Sequence, residues 1–347
     1  MLRIYDANFN RCSEGLRVLE ETARFLLNDT ELTKGLKHIR HQLAQCYAAI
    51  EPQLLTSRDS ANDVGIKSDV ASEYERGDIA AIVAANARRA QESLRVLEEY
   101  SKLPQAASID ARTIEQMRFS LYQLERQLAS KLLRKDKADR IKGVYLILDY
   151  GFLNGRSEIE VAQQAIDGGV KIIQLRDKQR SKSEILKTAR KLKQLCAKTN
   201  VLFIVDNHID IALASDADGV HLGQTDLPVD EARKLMPVDK IIGCTSASLD
   251  EALLAQQQGA DYISVGAIYP TQSKADVRLA GVETLREIKR KITLPVVAIG
   301  GINLDNIKQV LDSGANAVAV ISVIMNREDI KAAAFELTKC FKINQGD

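Results

Sequence analysis

Gln174-Leu175-Arg176-Asp177-Lys178 sets two cations two residues apart, a planar guanidinium fork and a compact ammonium, beside an amide able to address a neutral hydrogen-bonding ring. At a strand end that spacing points both cations the same way. Such a group suits a diphosphate attached to a heterocycle. Five later segments add chemistry for the same anion: Asp206-Asn207, Gln224-Thr225-Asp226, Thr271-Gln272-Ser273-Lys274, Gly300-Gly301 and Ile321-Ser322. Asp226, with Asp206 or Asn207, offers oxygen ligands suited to Mg2+, which takes carboxylates, phosphates and retained water. Thr271, Ser273 and Lys274 supply two hydroxyls and an ammonium within four residues, and Gly266 is expected to let the preceding chain turn tightly. Bare glycines at 300 and 301 let backbone amides approach a phosphate, and Ser322 follows.

Each motif alone has a plainer explanation. A strand end can be salt-bridged to a neighbour, a TxSK can be surface loop, and His221 reads as a packed strand residue with no catalytic role. Taken together they describe a diphosphate site with a metal and a separate monophosphate site, hence two phosphorylated small-molecule substrates.

The elements that must carry these groups are countable. From Val144 onward, β-branched runs recur at Val144–Leu148, Ile172–Leu175, Leu202–Val205, Gly219–Leu222, Ile241–Gly243, Tyr262–Val265, Val296–Ile299 and Ala317–Val320. Helical patterns alternate with them, as at Ser157–Gly168, Ser183–Lys198, Leu249–Gln258, Asn303–Ser313 and Glu328–Cys340. Eight such units in about 200 residues fit an α/β (β/α)8 TIM barrel. A doubly wound open sheet is the alternative, but no Gly-rich dinucleotide loop follows the first strand. The polar residues follow seven different strands, and a closed ring brings all seven ends to one mouth.

The first 135 residues read differently. Asn8, Arg11, Glu14 and Leu16–Glu21 recur at an offset of 78 as Asn86, Arg89, Glu92 and Leu94–Glu99, and Arg40 and Leu43 return as Arg118 and Leu121. The unit is a duplicated helical hairpin, about four helices, with Leu16, Leu19, Ala23 and Leu26 as an apolar stripe. Glu14 with Arg17 and Glu20 with Arg24 are spaced to pair along the helix. Arg17 and Arg95 read as ion-pair members or, beside Asn8 and Asn86, as part of a shared polar site. The polar stretch Thr56–Gly65 invites a functional reading against ordinary capping. A charged segment, 131–142, is expected to link an all-α domain over 1–135 to the barrel over 141–343.

Composition limits the partners. With 45% apolar residues the 347-residue chain can bury two cores, and 48 basic against 47 acidic residues gives no bulk attraction to nucleic acid or anionic membrane. Cys12, Cys46, Cys196, Cys244 and Cys340 form no CxxC pair, which suits buried thiols in a reducing cytoplasm. No signal-peptide core or spanning stretch is visible. A soluble cytoplasmic protein is expected, with homo-oligomerisation left open.

From about Gly143 to Phe341 the chain resembles the thiamine-phosphate synthase family, also called thiamine-phosphate pyrophosphorylase, through its QxRxK, paired Asn and Asp, HLGQxD, GxS, TxTK, IGGI and VIS patterns. The resemblance implies that Gln174, Arg176, Lys178, Thr245 and Lys274 contact a pyrimidine diphosphate, with Arg176, Lys178 and Lys274 stabilising the departing diphosphate. It implies that Asp226 holds Mg2+ and that Thr271, Ser273, Gly301, Ile321 and Ser322 contact a thiazole phosphate. Diphosphate would leave the pyrimidine methylene, giving a cation-like species that the thiazole nitrogen attacks. Three positions depart from the pattern. Asp206 then Asn207 stand where the family has Asn then Asp, which places Asp206 with the substrate and Asn207 with the metal. Thr245 replaces a Ser and Ser273 a Thr, both keeping the hydroxyl. A related thiazole tautomerase would lack a reason for three cations and a metal ligand, and a non-catalytic regulator would have shed charged site residues. The helical half resembles an all-helical domain fused to some of these synthases and proposed to phosphorylate hydroxymethylpyrimidine phosphate. No P-loop supports that reaction independently, and a docking or regulatory module is its rival.

Overall fold

The computed structural model of the chain describes residues 1–59, 76–104, 109–271 and 278–344. The chain divides into two compact units, Met1–Leu133 and Arg134–Asp347.

In the first unit, α1 (Leu2–Glu21) continues as a π-helical turn over Thr22–Leu26 and is followed by α2 (Thr30–Ala48) and the short α3 (Glu51–Ser57). Then come α4 (Ile79–Ser101) and α5 (Ala111–Asp139). Side-chain caps start three of them: Asp29 accepts from Leu32 N at 3.0 Å, Asp78 from Ala81 N at 2.7 Å and Asp110 from Thr113 N at 3.2 Å, each worth about 1 kcal/mol. The repeat read from the sequence gives matching helix faces. Leu16, Leu19, Leu36, Ile39 and Leu43 of the first copy are buried with Leu94, Leu97, Ile114, Met117 and Leu121 of the second. Gly15 lets α1 and α4 touch, since a Cβ there would come within 2.8 Å of the Asn86 carbonyl oxygen.

The charged residues pair differently from the spacing-based expectation. Arg17 reaches Glu21 at 2.8 Å and Glu20 at 3.7 Å, and Arg95 reaches Glu98 and Glu99, both at 2.7 Å. Glu20 takes Arg40 from α2 at 2.8 Å, and its repeat Glu98 takes Arg118 from α5 at the same distance. Asn8 and Asn86 each donate to the carbonyl four residues back in their own helix, Ile4 and Ile82, at 2.8 Å. Arg58 forms a two-pronged pair with Asp6 at 2.7 and 2.8 Å. Most of the polar stretch that follows, from residue 60, lies outside the described residues.

The second unit is a closed barrel of eight parallel strands in sequence order. These are β1 (Gly143–Asp149), β2 (Ile172–Arg176), β3 (Leu202–Asp206), β4 (Gly219–Leu222), β5 (Ile241–Ser246), β6 (Tyr262–Val265), β7 (Val296–Ile299) and β8 (Ala317–Val320). The helices between them are α6 (Glu158–Asp167), α7 (Lys182–Lys198), α8 (Ile209–Ala214), α9 (Val229–Leu235), α10 (Leu249–Gln257), α11 (Gly281–Lys291), α12 (Ile307–Asp312), α13 (Ser322–Met325) and α14 (Ile330–Asn344). The helix expected over Asn303–Ser313 is shorter because Asn303 folds back as a turn, its side chain accepting from Asp305 N and Asn306 N.

Burial on both faces explains the near-continuous apolar strands. One parity packs under the helices, as with Val144, Leu146, Leu148, Ile173, Leu175 and Phe203. The other fills the interior: Tyr145, Ile147, Ile172, Leu202, Ile204, Ile241, Tyr262, Val297, Ala317 and Ala319. With a side-chain period of two, the interior rows continue upward into Asp149, Gln174 and Arg176, Asp206, Thr245 and Ile321. The polar mouth is therefore the top of the hydrophobic rows.

The stretch 131–142 is helical through Asp139. Arg134, almost fully buried, donates from Nε to Asp261 Oδ1 at 2.7 Å and from Nη1 to the Val238 carbonyl at 3.0 Å. Asp261 also takes Arg233 and the Ile242 amide. Because Asp261 keeps those partners, Arg134→Ala is expected to cost about 1.5–3 kcal/mol in denaturant unfolding of the barrel. Loss of the exposed Lys135–Asp139 pair in Lys135→Ala should cost under about 1 kcal/mol.

Candidate active site

The upper ends of β1, β2 and β3 form a charged cluster. Arg176 bonds the buried Asp149 through Nη1, and its Nε lies 3.8 Å from Asp206 Oδ2. Lys178 Nζ lies 3.3 Å from the same Asp206 oxygen. Asp149 is itself set by the Gly151 amide, 2.9 Å from Oδ1. Two carboxylates thus hold two cations side by side, with Lys178 the more exposed. The intervening Asp177 points elsewhere: it accepts from the Gln179 and Arg180 amides at 2.9 and 3.0 Å and from the Arg180 side chain, closing the turn into α7.

Asn207 turns away from that cluster. It adopts a left-handed backbone, φ 48°, while its amide donates to the His221 carbonyl at 2.8 Å. Its Nδ2 lies 3.3 Å from Asp226 Oδ1, and its buried Oδ1 has no hydrogen-bond partner. Asp226 Oδ2 accepts from the Gly223 amide at 2.7 Å. Among the described residues no three His, Cys, Asp or Glu side chains gather for a metal. The Asn207 amide presents its nitrogen to Asp226; turned over, its orphaned oxygen would join that carboxylate as an oxygen pair of the kind that suits a cation taking its other ligands from water and phosphate. Gln224 donates to the Thr245 carbonyl, tying this loop to β5.

Below the charges, side chains of β1, β2, β4, β5 and β6 are hydrogen-bonded in series. Gln174 Nε2 bonds Tyr145 OH at 3.1 Å, Tyr145 OH bonds Tyr262 OH at 3.0 Å, His221 Nδ1 bonds Tyr262 OH at 3.1 Å, and His221 Nε2 bonds Thr245 Oγ1 at 2.9 Å.

On the far side, Gly300 and Gly301 both take positive φ, 99° and 65°. A Cβ on Gly301 would meet the Pro270 carbonyl oxygen at 2.5 Å, and one on Gly300 would meet Ala267 Cβ at 2.6 Å. The segment 268–269 runs along them, Ile268 N donating to Ile299 O and Tyr269 N to Gly300 O at 2.9 and 3.0 Å. Thr271 follows directly, whereas Ser273 and Lys274 lie outside the described residues. Close packing also demands a glycine at 266: its φ is not left-handed, and a Cβ would strike Ile299 Cγ2 at 2.4 Å. Ile321 and Ser322 open α13 beside Gly301, as the adjacent register Ile299 to Ala319 requires. The first amides of that helix have no intrahelical partner.

Residues 144–324 match the thiamine monophosphate synthase family, and residues 3–127 match the ThiD2 family. A thiamine-phosphate synthase of Synechocystis sp. is 39% identical over 345 residues, spanning 99% of this chain and 97% of its own length. One from Rhodopirellula baltica is 38% identical, spanning 96% and 91%. A solved thiamine phosphate pyrophosphorylase from Pyrococcus furiosus, 40% identical, covers 60% of this chain and all of its own with a TM-score of 0.56. The chain belongs to the thiamine-phosphate synthase family.

As a thiamine-phosphate synthase it is a transferase of thiamine biosynthesis, and among its described residues no helix is long and apolar enough to cross a membrane. All five cysteines are free. Burial pushes the thiol of Cys244, which packs on the helix side of β5, up to about 11, so it stays protonated. Sequence reading missed Asp149, Tyr145 and Tyr262. The signal for Asp149 was present: it ends β1 on the parity of Tyr145 and Ile147, and it pairs in register with Arg176. Removing that anchor in Asp149→Asn should let the guanidinium drift, with turnover of the pyrimidine diphosphate falling roughly 10- to 100-fold while the fold persists. Steady-state kinetics beside thermal unfolding checks this.

Proposed function

We propose that the mouth of the barrel binds 4-amino-2-methyl-5-(diphosphooxymethyl)pyrimidine over Gln174, Arg176 and Lys178 and the thiazole phosphate over Gly301, Ile321 and Ser322. The observation that carries this reading is the Arg176–Lys178 pair held on Asp149 and Asp206, at the same end of the barrel as a glycine turn after β7 and a helix start with open amides after β8. Breaking the methylene C–O bond sends its electron pair out with diphosphate, and the thiazole nitrogen lone pair then forms the C–N bond. No proton needs to move, so the step asks the mouth for electrostatic stabilisation and not for an acid or a base. Arg176 and Lys178 stabilise the departing charge electrostatically, in a mouth walled by buried strands, and Lys274 and Thr245 are assigned to the same substrate. Thr271 and Ser273 are assigned to the thiazole phosphate.

Mg2+ is the metal proposed for Asp226 and Asn207, where it would add positive charge on the leaving diphosphate. Asp206 belongs with the substrate cations, since its carboxylate is committed to Lys178 and Arg176. The neutral amide at 207 contributes no charge, so the Mg2+ requirement is expected to be high, Asn207→Asp to lower it, and Asp226→Ala to remove most activity. Titrating Mg2+ against the formation of thiamine phosphate and diphosphate tests both the reaction and the placement. An unchanged Mg2+ dependence in Asp226→Ala would put the metal elsewhere, and no product from the two phosphorylated substrates would overturn the reaction.

We further infer that the two units, read from sequence as 1–135 and 141–343, are separable, and that the protein works in the cytoplasm. Arg134 argues for beginning a barrel-only chain ahead of it, at Lys131, so that Asp261 keeps its partner. Such a chain should retain synthase turnover with the pyrimidine diphosphate. The helical unit is proposed to supply that diphosphate, and the test is whether the full chain alone accepts the pyrimidine monophosphate with ATP. Failure of both chains with the monophosphate leaves the helical unit as a docking or regulatory module.

A further inference from the structure

The buried series from Gln174 to Thr245 has a direction. An amide nitrogen can only donate, so with Nε2 on Tyr145 OH, at 3.1 Å, the Tyr145 oxygen accepts and its own hydrogen is left for Tyr262, 3.0 Å away. The Tyr262 hydrogen then has His221 Nδ1 at 3.1 Å, which requires the neutral tautomer with its proton on Nε2. That proton faces Thr245 Oγ1 at 2.9 Å, and the threonine hydrogen is turned outward. Every donor therefore points from β2 towards β5. The ends are opposite in kind: Gln174 presents Oε1, an acceptor, and Thr245 presents O–H, a donor.

The series is built into the barrel. Gln174, Tyr145 and Tyr262 are each at most 2% exposed and His221 is 8% exposed. The His221 and Tyr262 rings stack with centroids 5.6 Å apart. Gly243 is needed for it, since a Cβ there would lie 2.0 Å from Tyr262 Cζ. Burial raises the pKa of both phenols, so their protons remain in place as donors.

We propose that Tyr145, Tyr262 and His221 are positioning residues that fix Gln174 as the acceptor for the exocyclic amino group of the pyrimidine and Thr245 as a donor to an oxygen of its diphosphate. This rests on the placement of that substrate over Gln174 and Thr245 given above. As the C–O bond breaks, positive charge spreads into the aminopyrimidine and negative charge collects on the leaving group. Both end contacts strengthen in the transition state, and the dipole of the series is aligned with the charge separation. Left unanchored, the Gln174 amide could flip and present N–H to a group that is becoming positive.

The test uses the full chain with Mg2+ and both phosphorylated substrates. Tyr145→Phe and Tyr262→Phe should each lower kcat about tenfold or more while leaving KM for the thiazole phosphate within about twofold. Because either change breaks the same series, the double variant should fall no further than the worse single, a non-additivity that two independent packing defects would not give. His221→Gln can still accept from Tyr262 and donate to Thr245, so it should retain much more activity than His221→Leu, and this pair decides the matter if the tyrosine variants fail to fold. Multiplicative losses in the double variant, or equal activity of His221→Gln and His221→Leu, would overturn the proposal. Gln174→Ala separates it from the reading beneath: normal turnover there would remove the pyrimidine from Gln174. A loss in Gln174→Ala beside normal turnover in both tyrosine variants would overturn the positioning role alone.

Discussion

Arg176 and Lys178 lie close together at the end of one strand, and holding like charges there is the constraint around which the mouth is arranged. Without an anion the two cations repel each other, and the chain offsets this with Asp149 from β1 and Asp206 from β3. The neighbouring strands must therefore be in the observed register, Asp149 opposite Arg176 and Gln174 opposite Ile204. On the proposed placement, an arriving diphosphate would meet cations that are already aimed and compete with carboxylates for them instead of ordering free side chains. Preorganisation of this kind is where electrostatic catalysis gains most.

The same period of two governs what could be read from the sequence. All eight strands were legible, because β-branched runs buried on both faces stand out between helical patterns, and eight such units in about 200 residues fit a closed ring. The cations and glycines at the mouth were legible because such residue types are unusual at the ends of apolar runs. Tyr145 and Tyr262 were not. An aromatic inside a β-branched run looks like core, and their hydroxyl contact joins residues 117 apart across the barrel. Local patterning carries parity but not the distance between two rows of one interior. Asp149 falls between these cases, visible by parity yet hidden by ending a run with no second charge beside it.

In the helical unit the repeat was legible and the partners were not. Spacing along one helix suggested Glu20 with Arg24, whereas tertiary packing gives Glu20 to Arg40 and, by the same offset of 78, Glu98 to Arg118. Both carboxylates are buried, and each faces one arginine on its own helix and one on the next. An isolated buried carboxylate would cost several kcal/mol, so each pair specifies which helix packs where more than it adds stability. Duplication preserved that specification twice. It explains why Arg40 and Arg118 recur with the leucines, although they lie outside the repeated Leu-Arg-Val-Leu-Glu-Glu core.

The order Asp206 then Asn207 follows from the same separation of directions. Consecutive residues at a strand end face different ways, and here one faces the cations while the other, carried by its left-handed backbone, faces Asp226. Whichever of the two carries the carboxylate decides where the negative charge goes. With Asp at 206 the charge neutralises Lys178 and Arg176, and position 207 contributes only a neutral amide beside Asp226. The opposite order would place two carboxylates together beside the glycine-held loop and leave Lys178 without its partner at 3.3 Å. On the proposed placement of Mg2+, a lone carboxylate with a neutral amide would make a shallow cation site, deepened when a diphosphate brings its own oxygens. Cation and pyrimidine diphosphate should then bind cooperatively, each completing the other's contacts.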